Sequence, residues 1–248
     1  MRIAISSGHG LHVRGARSLI DEVDEARRVT DRVADILNRA GVTTIALHEN
    51  TARTRADNVN AIVRLHNGER RNLDVSIHFN STASGTIEDR PIGVEVLHHP
   101  GNPTTWTLAG RVAAAIAAAS GLLLRHQRDS GAVARTNLGF LNNTTAPAIL
   151  VEVCFVNSRT DTTLYQKHFD EICHAIASSI SGQAIAPPAP ASITIPPQPT
   201  ANPQPSSWAQ GAWEWGIVNG LTDGTRPRDS ITRQEVITLL YRFFSRFF

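Results

Sequence analysis

Cysteine is scarce in this 248-residue chain, and the two present make neither a disulfide framework nor a four-thiolate zinc site. A dominant charge sign is also missing. There are 24 basic and 22 acidic side chains, for a net charge of +2. The basic residues form no block, which excludes a dedicated nucleic-acid binder, because its affinity would need a phosphate-neutralising patch. Lysine is almost absent, with Lys167 alone among the cations. No apolar run approaches the roughly 18 residues of a membrane span, so no membrane partner is expected. The N-terminus lacks the apolar stretch of about 7–15 residues that a secretory signal needs. Met1-Arg2 runs directly into Ile3-Ala4-Ile5-Ser6. The expectation is a chain made in the cytoplasm, whose action beyond the membrane would need a release step.

Proline, by contrast, is concentrated. Eight of the 13 prolines lie between Pro187 and Pro205. Proline fixes φ and donates no backbone hydrogen bond, so this stretch reads as an extended spacer. The expected organisation is a domain over 1–182, a linker over 183–206 and a small module over 207–248.

The first domain alternates strand and helix patterns. Strands are expected at Arg2–Ser6, Thr43–His48, Leu73–His78, Gly93–His98 and Ala148–Phe155. Val23, Ala26, Val29, Val33, Ile36 and Ala40 recur at three- and four-residue steps and predict a helix that Gly41 closes. Further helices are expected over Asn58–Arg71, over Thr104–Ser120, and along Tyr165, Phe169, Ile172, Ile176 and Ile180 to Gly182. This alternation predicts an α/β fold with a largely parallel sheet covered on both faces. Ligands then bind beyond the carboxyl ends of the strands.

Three strand ends carry chemistry. The first ends at Ser6-Ser7-Gly8-His9-Gly10. The third is Leu73-Asp74-Val75-Ser76-Ile77-His78-Phe79-Asn80, in which Ser76 and His78 share a face. The last carries Glu152 among apolar neighbours, where a carboxylate is costly unless paired or functional. Glu22 opens the first helix. Two histidines and one carboxylate suit a catalytic zinc with one position left for water. A second carboxylate can take the proton of that water and pass it to a leaving amine. The candidate ligands are His9, Glu22 and His78, and the candidate base is Glu152. Competing assignments are simpler roles: His12 as an alternative ligand, His98 and His99 as solvated loop residues, and Glu95 as an outward-facing strand residue. Glu22, like Asp21, Asp24 and Glu25, also suits a first helical turn. Cys154 shares the strand face of Glu152 on simple alternation. It and Cys173 are expected as buried free thiols.

IAISSGHG, the helix-opening Glu22, DVSIHFNS and PAILVEVCFVN resemble the type 3 N-acetylmuramoyl-L-alanine amidases over roughly Met1–Gly182. The resemblance implies a twisted six-stranded sheet wrapped by helices and a zinc-dependent cut between N-acetylmuramic acid and L-alanine of the stem peptide. It also implies zinc on His9, Glu22 and His78, with Glu152 as the essential glutamate. Val23 stands where many relatives have a basic residue. The missing signal is similar to that of phage or prophage endolysins, which act on peptidoglycan after release. Asn80 and Ser81, the Asn137–Asn143 loop and Arg135 are candidate substrate contacts.

The C-terminal module has expected buried stripes at Trp208, Ala212, Trp215 and Val218, then at Val236, Leu239, Leu240 and Phe243. Thr232 and Glu235 form a capping-box pattern. WAQGAWEW, GIVNGLTDGT and ITRQEVITLLYR resemble a single S-layer homology repeat. This implies binding to cell-wall polysaccharide, with Arg233 on an anionic substituent, Trp213 on a sugar ring, and oligomerisation through the module. Alternative readings are a non-catalytic wall-binding protein on a degenerate scaffold, and a zinc carboxypeptidase.

Overall fold

The computed structural model describes residues 1–185, 204–225 and 227–247. These fall into two compact units, Met1–Ala189 and Pro190–Phe248. Most of the expected linker lies outside the described residues. No helix among the described residues is long and apolar enough to cross a membrane.

The first unit is an α/β fold on a six-stranded sheet. In chain order its elements are β1 (Arg2–Ser7), α1 (Glu22–Arg39), β2 (Thr43–Leu47), α2 (Arg55–Asn67), β3 (Leu73–Asn80) and β4 (Glu95–His98). They continue with α3 (Pro103–Ser120), β5 (Ala132–Ala134), α4 (Gly139–Asn143), β6 (Ala148–Phe155), α5 (Arg159–Lys167) and α6 (Phe169–Ser181). The strand order is β2-β1-β3-β6-β4-β5. All neighbours pair in parallel except β4 and β6, which are antiparallel. The sheet is therefore mostly parallel, with β4 and β5 running against the rest. β5 is absent from the sequence expectation because three residues show no alternation to read.

Alternation sorts the strands into two faces. Ile3, Ile5, Val75, Ile77, Phe79, Ile149, Val151 and Val96 point into the main core with residues of α1, α3, α5 and α6. Leu97, Ala148 and Leu150 point the other way, into a smaller cluster with Ile62, Phe140 and Leu141. That second face carries the polar residues of β3 and β6. Between His78 and Asn80 the β3–β6 register slips, and β6 carries an extra residue there. This bulge turns Cys154 into the main core, so Cys154 does not share the face of Glu152 as simple alternation implied. Both cysteines are buried free thiols.

Local chemistry sets the helix ends. Asp21 caps α1 by accepting from the Val23 and Asp24 amides. Thr54 caps α2 at the Asp57 amide, so α2 begins and ends earlier than Asn58–Arg71. Beyond Gly68 the chain leaves the helix, and Arg71 grips buried Asp74 through Nε and Nη2. The expected final helix is two helices, because His168 (φ −116, ψ 30) breaks it. Lys167 ends α5 and is exposed. Buried Asp161 takes the amides of Ile92, Gly93 and Phe155 at 3.0, 2.8 and 3.3 Å, which ties the approach to β4 to the end of β6.

The second unit contains α7 (Gln210–Val218) and α8 (Arg233–Phe247). Thr232 and Glu235 make the expected reciprocal caps. The apolar stripes differ from expectation. Trp208 is 88% and Val218 80% exposed. Ala212, Trp215, Val236, Leu239 and Leu240 also lie at the surface. Two short helices enclose too little volume to bury both stripes.

Candidate active site

The site is built where β1 and β3 end and α1 begins. Gly8 follows β1, and its amide donates to the Ile77 carbonyl at 2.8 Å. A side chain at Gly8 would collide with the His78 ring, so glycine lets the two histidine-bearing segments close on each other. The His9 and His78 rings meet edge to face with centroids 5.1 Å apart. His78 Nδ1 lies 3.0 Å from Glu22 Oε1, and His9 Nε2 lies 3.6 Å from the same oxygen.

Glu22 is buried (3% exposed) and held from two sides. Its Oε1 accepts the Phe79 amide at 3.2 Å, and its Oε2 accepts the Ala16 amide at 2.6 Å. The loop from Gly10 to Asp21 folds over this carboxylate. Gly15 (φ +70) faces Glu22 Oε2, and a Cβ there would sit 2.7 Å from His9 Cδ2. Arg14 fastens the loop by a bidentate grip on Asp21 at 2.9 and 2.8 Å and a contact to Asp24.

One ligand atom from each of His9, Glu22 and His78 lies within 4.8 Å of the others. Two imidazoles and a carboxylate at that spacing, with the carboxylate already fixed by two backbone amides, fit a divalent metal ion. Among the described residues, this is the one such cluster of metal-binding side chains. The structure thus brings together all three expected ligands. His12 is exposed and outside the cluster.

Glu152 sits opposite His78 in the β3–β6 register. Its Oε2 is buried and has no hydrogen-bond partner among the described residues. Burial pushes its carboxyl up to about 8; His78 works against this, while Glu22 and Glu95 add to it. Burial lowers the proton affinity of His9, helped by the charge of His78 and further by Arg55. In Glu22, burial favours the neutral acid, but the hydrogen bond and charge of His78 prevail and hold the carboxyl below its usual range. For His78, burial opposes the charge, yet the bond to Glu22 raises its proton affinity.

These groups line a cavity of about 830 Å³. Its polar part comprises His9, Glu22, Ser76, His78, Asn80, Ser81, Arg55 and Glu152, and its apolar wall comprises Val59, Ile62, Leu97, Leu138, Phe140 and Leu150. The expected 137–143 loop does border it, as α4 and the residues before it.

Three assignments change. Arg135 does not line the cavity. It follows β5, whose end pairs with the end of β4, and that end meets Ile149 at the start of β6. Because β4 and β5 are reversed, their carboxyl ends point to the opposite rim. There Arg135 is exposed, with its amide on the His98 carbonyl. His98 is buried for the same reason, at the far end of β4. Glu95 faces inward and is buried, bound to Arg125 Nε at 2.9 Å, His126 Nε2 at 2.8 Å and Asn80 Nδ2 at 3.0 Å. Sequence reasoning missed Arg55, for which Thr54 and Asp57 were the available signal of a helix start. Arg233 opens α8 and is exposed, and it belongs to the second unit.

The N-acetylmuramoyl-L-alanine amidase family model (type 3) matches residues 3–182. The chain belongs to this amidase family. An uncharacterised Clostridium perfringens protein is 27% identical over 186 residues, covering 75% of this chain and 53% of that one. A second C. perfringens protein is 28% identical over 181 residues, or 73% and 51%. The chain therefore spans about half the length of the curated relatives it matches. Among solved structures, the catalytic domain of an endolysin targeting Clostridia difficile superposes with a TM-score of 0.64 at 18% identity, covering 75% of this chain and 99% of that one. An N-acetylmuramoyl-L-alanine amidase of Nostoc punctiforme gives 0.57 at 25% identity, with 73% and 96% covered. These similarities place the amidase fold on the first unit and match its six-stranded sheet.

Proposed function

We propose that the first unit hydrolyses the amide between N-acetylmuramic acid and L-alanine in peptidoglycan, with zinc on His9, Glu22 and His78. The observation that carries this reading is the convergence of those three side chains beside the unpartnered Glu152 Oε2 in one cavity. Zinc, when bound, supplies a Lewis acid that acidifies water and polarises a carbonyl. The protein supplies the rest. The Ala16 and Phe79 amides hold Glu22 in place. Glu152 as carboxylate accepts a proton from the attacking water at its free oxygen. It passes that proton to the nitrogen of L-alanine as the carbon–nitrogen bond breaks. Water thus adds to the lactyl carbonyl, and the products are a carboxyl group and a free L-alanine amine. Asn80 keeps its amide oriented through Glu95 and the Ser81 amide and borders the space the substrate would fill.

We also propose a lytic role at the cell wall, with the second unit as a wall-binding module. Support comes from a cavity of about 480 Å³ within that unit, bordered by Trp213, Thr225, Gln234 and Glu235. Its exposed apolar residues suit self-association. The deciding experiment is digestion of purified peptidoglycan by metal-replete protein, with mass spectrometry of the products. New L-alanine amino termini that disappear with a chelator and return with zinc support the reading. Cleavage at a carboxy-terminal peptide bond would instead make the chain a carboxypeptidase.

A further inference from the structure

Arg55 is the first residue of α2 and, among the described residues, the one Lys or Arg that lines the cavity. It has no ion pair or side-chain hydrogen bond among the described residues and is exposed, whereas Arg14, Arg27 and Arg32 on α1 and its approach are each engaged. Arg55 lines the same cavity as His9, Glu22 and His78, so a ligand in that space meets both the guanidinium and the metal cluster. The start of α2 adds the partial positive charge of a helix N-terminus.

The wall behind Arg55 has a different character. Val59 and Ile62 follow at i+4 and i+7 on the same face of α2 and line the cavity. Leu138, Gly139 and Phe140 line it too. A Cβ at Gly139 would come 2.8 Å from Val59 Cγ1, so α4 packs directly on α2 there and the two form one continuous apolar wall. A ligand along α2 therefore meets a positive group and then an apolar wall in the cavity that holds the metal cluster. A polyhydroxylated glycan matches neither feature. A short peptide with small aliphatic side chains and a carboxylate matches both.

We propose that α2 reads the peptide arm of the substrate, and that Arg55 binds a carboxylate on the residue following L-alanine. This rests on the amidase reading above. One residue of extended chain spans about 3.5 Å, so a carboxylate on the residue after L-alanine stays within the cavity that Arg55 shares with the cluster. The guanidinium fork favours a carboxylate over the isosteric carboxamide, because a bidentate charge-assisted pair is lost in the amide. Arg55 is thus a specificity-determining residue, and the chain prefers stems whose second residue keeps its carboxylate free.

The test uses the full chain, loaded with zinc, and two synthetic substrates. Both are N-acetylmuramoyl-L-alanine extended by D-glutamate whose γ-carboxyl is capped as a methylamide, one with a free α-carboxylate and one with the α-carboxamide. Wild type is expected to show a KM roughly tenfold lower for the carboxylate at similar kcat, as for a hydrogen bond to a charged group. Arg55→Met should abolish the difference by raising KM for the carboxylate alone, and Arg55→Lys should restore part of it. Equal kcat/KM for the two substrates in wild type, or a preference that survives Arg55→Met, would overturn the assignment while leaving the amidase reading intact. Cleavage of neither compound would overturn both. Arg55 is exposed, so a thermal melt of each variant is expected to match wild type; a melt lowered by more than a few degrees would show a structural role instead.

Discussion

Replacing Gly15 by alanine tests how the metal cluster is assembled. At φ +70 an L-residue with a side chain is strained by about 1–2 kcal/mol. The new methyl would also run into Glu22 Oε2 and reach 2.7 Å from His9 Cδ2. Glu22 is buried and held by two amides, so it cannot swing aside without losing one of them. Overpacking of this kind costs a further ~1–3 kcal/mol. That second cost falls on two of the three proposed ligands. Gly41 supplies the control. It has φ +78, yet a Cβ there would meet nothing within 4 Å. Gly41→Ala should therefore lose only the backbone term, lowering the melting temperature by roughly 2–8 °C. Its zinc affinity, measured by competition with a chromophoric chelator, should stay unchanged. Gly15→Ala should lose more stability and, in addition, bind zinc at least about tenfold more weakly, the scale seen when groups supporting metal ligands are disturbed. Equal zinc affinity in Gly15→Ala and wild type would refute the idea that this loop presses the ligands into place.

Two further outcomes follow from buried acids. Glu152→Gln should keep zinc but lose about 10²-fold or more in kcat. In the metal-free protein, folded Glu152 holds its proton up to about 8, while the unfolded carboxyl releases it near 4.5. Its burial thus costs stability progressively as pH rises through that window. The melting temperature of metal-free Glu152→Gln should match wild type near pH 4 and exceed it near pH 9, and a constant difference would contradict that sign. Asp161→Asn puts amide donors against the backbone amides of Ile92, Gly93 and Phe155. It should cost about 2–4 kcal/mol in urea unfolding, and a loss below ~0.5 kcal/mol would remove Asp161 from the tie between β4 and β6.

Much of the site was legible because it sits on regular elements. Apolar alternation in β1, β3 and β6 placed Ser76, His78 and Glu152, and the three-four spacing after Glu22 placed the start of α1. What failed depended on direction and partners. Nothing in Glu95-Val96-Leu97-His98 says that β4 runs against β6, and that reversal sent Arg135 and His98 to the far rim. Glu95 read as outward-facing because its neutralising partners, Arg125 and His126, lie 30 and 31 residues away in a loop. The break at His168 is a single residue with non-helical backbone between two helices that both reach the main core, which a continuous apolar pattern conceals. In the second unit the apolar periodicity is real, but periodicity predicts burial only where another element arrives to cover it.

The single exposed lysine has a practical consequence. Lys167 ends α5, one of the helices that cover the sheet on the side away from α2 and α4. Amine-selective coupling to a lysine side chain of this sequence therefore has Lys167 as its anchor. A bead, dye or polymer fixed through Lys167 would tether the molecule by its back and leave the cleft facing outward.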